Sequence, residues 1–178
     1  HLCSGDFLQQ MEYVASLHPA GVILREKDLS DEEYRRLAEK VQMICNLQNV
    51  PFFVHGRVEV AQAIGCNAIH LPYQAFMKLC AQEMLETLHS EFRAQTGIQT
   101  TESTSSPSRS DEIETWSPCN ELCFKNISVS CHSLEEAVTA ERLGATQIIL
   151  GTIYETACKP GKIGDGLQFL QEVCNLLG

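Results

Sequence analysis

Apolar residues along this chain fall into two alternating rhythms. Short apolar runs such as GVIL, NAIHL and QIIL are too brief for helices and predict buried strands. Between them the apolar positions recur at helical period, as in Leu37, Ala38, Val41, Ile44 and Cys45. Ser30 with Glu33, and Ser133 with Glu136, have the spacing of capping boxes and mark helix starts. The pattern predicts helix 6–18, strand 21–25, helix 31–47, strand 51–54, helix 57–64, strand 67–71 and helix 74–93. After a break it predicts strand 127–131, helix 134–143, strand 147–151 and helix 167–177.

An internal echo supports this order. Ala61, Ile64, Gly65, Cys66, Ile69 and Leu71 recur at the same offsets as Ala140, Leu143, Gly144, Ala145, Ile148 and Leu150. Each copy reads as a helix end, a glycine in the left-handed position that closes the helix, and a buried strand. A weaker third copy runs from Ala15 through Ala20 into GVILR. Repeated helix-to-strand units predict an α/β fold of parallel strands with crossover helices. About five such strands fit the chain, whereas a closed (β/α)8 barrel needs eight. The expected fold is therefore a smaller open sheet, or a partial (β/α)8 TIM barrel lacking one strand before His1 and two after Gly178. The breaking segment, 97–120, is rich in Ser, Thr, Pro and acids and reads as a flexible surface insertion in a single domain spanning 1–178, with Trp116 its one sizeable anchor.

Composition narrows the function classes. The chain has 178 residues, 44% hydrophobic and 20% charged, as in an ordinary soluble globular protein. A formal net charge of -10 argues against broad nucleic-acid or acidic-membrane binding. No apolar run approaches a membrane span, so a soluble protein is expected. Nine scattered cysteines, an odd number without paired spacing, read as reduced thiols and lead to the expectation of a cytoplasmic protein. Cys119 and Cys123 lack a second Cys/His pair at matching spacing, so no metal site is expected there.

Candidate chemistry gathers where strands hand over to loops. Arg25 and Lys27 follow GVIL, His55 and Arg57 follow the next strand, and Thr152, Thr156 and Lys159 follow QIIL. Cations converging from separate loops of an acidic chain suit a phosphate or pyrophosphate. His132 stands between a strand and a helix cap, where an imidazole can move protons without a metal. His18, His55 and His70 are more readily structural. Cys158 lacks the partner that would make its thiol a nucleophile.

Taken together, GVILREKDL, HGRVEVAQAIGCNAIHLP, SVSCHSLEEAVTAERLGATQIILGTIYETACKPG and the closing Gly164-x-Gly166 resemble the thiamine phosphate synthase/TenI family. The resemblance implies a (β/α)8 barrel and a small-molecule thiazole phosphate partner, with a homo-oligomer as a possible assembly. It also implies a choice between activities. The synthase joins a pyrimidine diphosphate to a thiazole phosphate with magnesium. It uses an Asn-Asp pair and a further aspartate where this chain has His55-Gly56 and Ala75, and a glutamine where this chain has Ile23. Its second phosphate-binding threonine falls at Cys158. The TenI branch is similar at Gly56-Arg57 and at Glu155 to Lys159, which implies a thiazole tautomerase needing no cofactor. His132 would be its acid/base, while Arg25, Lys27, His55, Arg57, Thr156 and Lys159 would hold the anion. The synthase, or a silent thiazole-phosphate binder, is the alternative. As a piece of a barrel the chain is also expected to be poorly active, with two unpaired strand edges.

Overall fold

The side chains of Asp6, Ser30 and Ser133 cap three helix starts, while backbone geometry closes helix ends. The computed structural model describes residues 6–96, 124–157, 161 and 163–177. Within them run α1 (Phe7–Ser16), β1 (Val22–Leu24), α2 (Asp31–Leu47), β2 (Phe52–His55), α3 (Val58–Ala63) and β3 (Ala68–Pro72). They are followed by α4 (Tyr73–Thr96), β4 (Asn126–Cys131), α5 (Leu134–Arg142), β5 (Gln147–Leu150) and α6 (Gly166–Leu176). The 97–120 insertion with Trp116, and Cys3, Cys119, Cys123, Cys158 and Lys159, lie outside the described residues.

At α2 the capping box is complete: Ser30 accepts from the Glu33 N–H, and the Glu33 carboxylate accepts from the Ser30 N–H at 3.0 Å. At α5 only half of the expected box forms. Ser133 accepts from the Glu136 N–H at 3.1 Å, but the Glu136 carboxylate reaches one residue further back, to the His132 N–H at 2.7 Å. Both glycines of the echo take the left-handed turn, with φ of 63° at Gly65 and 98° at Gly144. In each copy the next N–H, of Cys66 or Ala145, reaches back to Ala61 or Ala140 at 2.9 Å and closes the helix.

The strands are ordered β1-β2-β3-β4-β5 and pair in parallel throughout, which is the arrangement of a half-barrel of the (β/α)8 type. Register aligns Val54 with Ile69, Ile69 with Ile127, and Val129 with Ile148 on the face that meets the helices. Val54, Ile69, Ile127 and Val129 form the core with Tyr34, Val41, Phe76, Ala137, Ala140 and Val173, and the partly buried Ile148 packs against it. The pleat sends alternate residues to the inner face, away from the helices. There His55 aligns with His70, His70 with Ser128, and Ser128 with Gln147. At its two ends Ile23 and Ile149 are 38% and 42% exposed. No helix of the described residues is long and apolar enough to cross a membrane.

Candidate functional site

The carboxyl ends of β1 to β5 carry the polar side chains that the inner face leaves unpacked. At the centre is His70, buried on β3. Its Nδ1 lies 2.9 Å from the Ser128 hydroxyl and its Nε2 lies 2.9 Å from the Ser130 hydroxyl, both on β4. Burial, together with the neighbouring His55 and Arg25, lowers the His70 pKa from 6.5 to about 4. Its ring centroid is 5.2 Å from that of His55, at the end of β2. The His55 pKa is also lowered, first by burial and then by the charges of Arg25 and Lys27. Those two exposed cations of the β1–α2 loop thus share an electrostatic neighbourhood with the histidine pair.

Tyr34, fully buried on α2, supports this corner. Its hydroxyl donates to the Leu24 carbonyl at 2.7 Å and accepts the His55 N–H at 3.2 Å. The Arg57 guanidinium stacks over its ring at 4.4 Å. Arg57 also donates to Asp31 at 2.5 Å, to the Glu26 carbonyl at 3.1 Å and to the Leu29 carbonyl at 2.8 Å. Its guanidinium thus ties the loop that carries Arg25 and Lys27 to Asp31 at the start of α2.

On the other side, the inner-face alternation of Ser128 and Ser130 continues to His132, just beyond β4. The His132 Nδ1 is hydrogen-bonded to the Gly151 carbonyl, just beyond β5. A carbonyl only accepts, so Nδ1 carries a proton, and the neutral tautomer consistent with this bond has a bare Nε2 on an exposed side chain. Thr152 is buried and Thr156 is exposed on the β5–α6 loop. That loop is closed at its base, where the Asp165 and Gly166 N–H groups donate to the Thr152 and Ile153 carbonyls at 2.8 and 3.0 Å. Gly164 lies so close that a Cβ there would sit 2.4 Å from the Ile153 oxygen. Lys159 falls in the undescribed part of the same loop.

Arg25, Lys27 and His55 are thus brought together, with Arg57 bracing their loop, while His132 and Thr156 belong to the β4 and β5 exits. Sequence reasoning missed Ser128, Ser130 and Tyr34. The two-residue spacing in NISVSC was the available signal for the serines. A groove of about 460 Å³, lined by Gln147, Ile148, Leu170, Val173 and Leu177 among others, lies between β5 and α6 and includes none of these candidate residues. Among the described residues cysteine chemistry gains no support: Cys131 is buried and its pKa is pushed up to about 11 by burial, aided by Glu136. Cys45, Cys66, Cys80, Cys131 and Cys174 form no disulfide among the described residues.

Magnesium, implied by the synthase resemblance, needs several oxygen donors in one place. Among the described residues no three His, Cys, Asp or Glu side chains are grouped to hold a metal ion. Gly56 and Ala75 have no side-chain oxygen, and Asp31 is engaged by Arg57. The described residues do not fit the ion.

Sheet, crossover helices and strand-end polar groups define a half-barrel protein of the (β/α)8 class with its candidate site at the carboxyl ends of the strands. Comparison with known proteins makes this specific. The family model described as thiamine monophosphate synthase matches residues 1–91 and 120–178, and the chain belongs to that family. It is 27% identical over 154 residues to a thiamine-phosphate synthase of Clostridium acetobutylicum, covering 86% of this chain and 56% of that protein. It is 26% identical over 168 residues to a putative thiamine-phosphate synthase 2 of Aquifex aeolicus, covering 94% of this chain and 70% of the relative. A solved thiamine phosphate pyrophosphorylase from Pyrococcus furiosus shares the fold at a TM-score of 0.62 and 18% identity, covering 96% of this chain and 64% of that one. The chain thus spans little more than half the length of the clostridial relative.

Proposed function

We propose that this chain acts in thiamine biosynthesis on a thiazole phosphate, in the synthase reaction for which its relatives are named. The observation that carries the proposal is the family match over 1–91 and 120–178, on a sheet whose strand exits hold cations and neutral donors. In that reaction the thiazole nitrogen lone pair forms a bond to the pyrimidine methylene, and the bond from that carbon to pyrophosphate oxygen breaks. The electron pair leaves with pyrophosphate. Arg25 and Lys27, with Lys159 from the β5 exit, are proposed to neutralise the developing charge, and Thr156 to donate to a phosphate oxygen. His55 lines the site beside them, and Arg57 acts through the loop it braces. No step is assigned to a metal ion.

A second reading, the thiazole tautomerase expected from the sequence, is favoured by one specific observation. His132 donates through Nδ1 to Gly151, leaving Nε2 available to take and return a proton. The names of the relatives favour the synthase, and none specifies the tautomerase.

Two assays on one preparation test these readings. Pyrophosphate release from the pyrimidine diphosphate, dependent on thiazole phosphate and reduced in Arg25→Ala, is the expected result. Isomer conversion of the carboxylated thiazole phosphate without pyrophosphate release would replace the synthase with the tautomerase. Thiazole-phosphate binding without either turnover would replace both with a binding role.

A further inference from the structure

We propose that Ser128 locks His70 as the Nε2–H tautomer and so frees the Ser130 hydroxyl to donate to an oxyanion on the inner face of the half-barrel. The argument begins with a buried hydrogen. Ser128 has no solvent exposure, and among the described residues its hydroxyl has one partner, His70 Nδ1 at 2.9 Å. If Nδ1 carried the imidazole proton, the serine hydrogen would be buried without an acceptor. If Ser128 donates instead, only oxygen lone pairs go unused, and spare acceptor capacity is better tolerated in protein interiors than an orphaned donor. Ser128 therefore donates, and Nδ1 accepts.

A neutral imidazole with an accepting Nδ1 has its proton on Nε2. Burial keeps His70 neutral, in line with its lowered pKa. The Nε2–H then donates to Ser130 Oγ, 2.9 Å away. Ser130 is half-buried, and among the described residues its hydroxyl has no other side-chain or backbone partner. Its own hydrogen is consequently left for a ligand. The three groups form a chain of fixed polarity, Ser128 to His70 to Ser130, in which each bond polarises the next and sharpens the terminal donor. The opposite tautomer would consume the Ser130 hydrogen and present only lone pairs, which an oxyanion would repel. His70 and Ser128 are thus positioning residues, and Ser130 is the group that touches the ligand. The identity of the oxyanion as a substrate phosphate rests on the proposed function; the tautomer does not.

Long-range proton–nitrogen NMR of the histidine-labelled chain at pH 7 reads the tautomer directly. The expected result is a protonated Nε2 and a bare Nδ1 at His70. A protonated Nδ1 in the unsubstituted chain overturns the lock, whether or not any variant folds. Ser128→Ala should convert His70 to a tautomer mixture and weaken inorganic phosphate binding about fivefold, the worth of one ordinary hydrogen bond. An unchanged tautomer in that variant overturns the lock. Phosphate that binds equally well to Ser130→Ala overturns the donor role. Phosphate that perturbs no resonance of Arg25, His55 or Ser130 overturns the substrate reading of the site, while the tautomer still decides the lock.

Discussion

The hydroxyl of Tyr34, on a helix, accepts the backbone N–H of His55, at the end of a strand, at 3.2 Å. The same oxygen donates to the Leu24 carbonyl at 2.7 Å, so one buried side chain joins the ends of β1 and β2 where their ladder stops. Tyr34→Phe keeps the ring, and with it the stacking of Arg57, but removes both bonds. We expect a loss of about 1–3 kcal/mol, the cost of leaving buried polar groups unpaired, read by urea denaturation. A loss below about 0.5 kcal/mol would mean that the hydroxyl contributes little to joining the strands.

His70 makes stability depend on acid. Its pKa is 6.5 in the unfolded chain and about 4 when folded, so between those values the unfolded chain binds the extra proton. Stability is therefore complete above pH 6.5 and falls as pH drops towards 4, by roughly 3 kcal/mol in all. His55, lowered for the same reason, adds in the same direction. Urea midpoints across this range should show the slope, and His70→Gln should flatten most of it. An equal slope in that variant would assign the acid sensitivity elsewhere.

Two arginines near the site should behave oppositely. Arg57 forks to Asp31 and two carbonyls, a geometry that lysine cannot reproduce, so Arg57→Lys should cost about 1–2 kcal/mol of stability. Little of that comes from Asp31, whose side chain is 82% exposed and so screened by water. Arg25 is exposed and, among the described residues, shows no such bracing. Arg25→Ala should leave stability within about 0.5 kcal/mol and weaken phosphate binding about tenfold, as expected for one charge-assisted contact. Calorimetric titration with thermal melts checks both, and a destabilised Arg25→Ala would contradict the assignment.

Gly164 tests the base of the β5–α6 loop. A Cβ there would meet the Ile153 oxygen at 2.4 Å and the Tyr154 Cα at 2.7 Å, and backbone cannot yield as a flexible side chain would. Gly164→Ala should break the bonds from Asp165 and Gly166 to Thr152 and Ile153, raising amide exchange at both donors. Protected amides in the variant would show that the loop accommodates the methyl elsewhere.

Local signals carried most of the fold. Helix α2 runs over 31–47 as its apolar face and capping box predict, because both are encoded within a few residues. Gly65 and Gly144 were legible as helix ends, but His18 and Asn49 take the same left-handed turn at φ 50° and 55° and carry no glycine to reveal it. Of the candidate residues, those at strand ends, such as Arg25, Lys27, His55 and His132, are the ones a local pattern can single out. Ser128 and Ser130 gain meaning from the register of β3 on β4, which sets Ser128 opposite His70. The bracing role of Arg57 depends on carbonyls 28 and 31 residues away, beyond the reach of any local pattern.

His132 separates the two enzymatic readings. Its backbone N–H is held by the Glu136 carboxylate and its ring by the Gly151 carbonyl, so among the described residues Nε2 is left without a hydrogen-bond partner. A positioned acid/base of this kind is worth about 10²–10⁴ in rate. If the chain moves a proton on the thiazole, His132→Ala should lose that factor in isomer conversion while remaining folded, since the side chain is exposed. Glu136→Gln should cost less, because the amide oxygen can still accept the His132 N–H. In the synthase reaction no proton transfer is assigned to His132, so pyrophosphate release should change by less than about tenfold in the same variant. Rates of both reactions in His132→Ala, measured beside its melting curve, therefore decide which role the imidazole has. A full loss of pyrophosphate release with an unchanged melt would place His132 in the synthase chemistry and overturn the division drawn here.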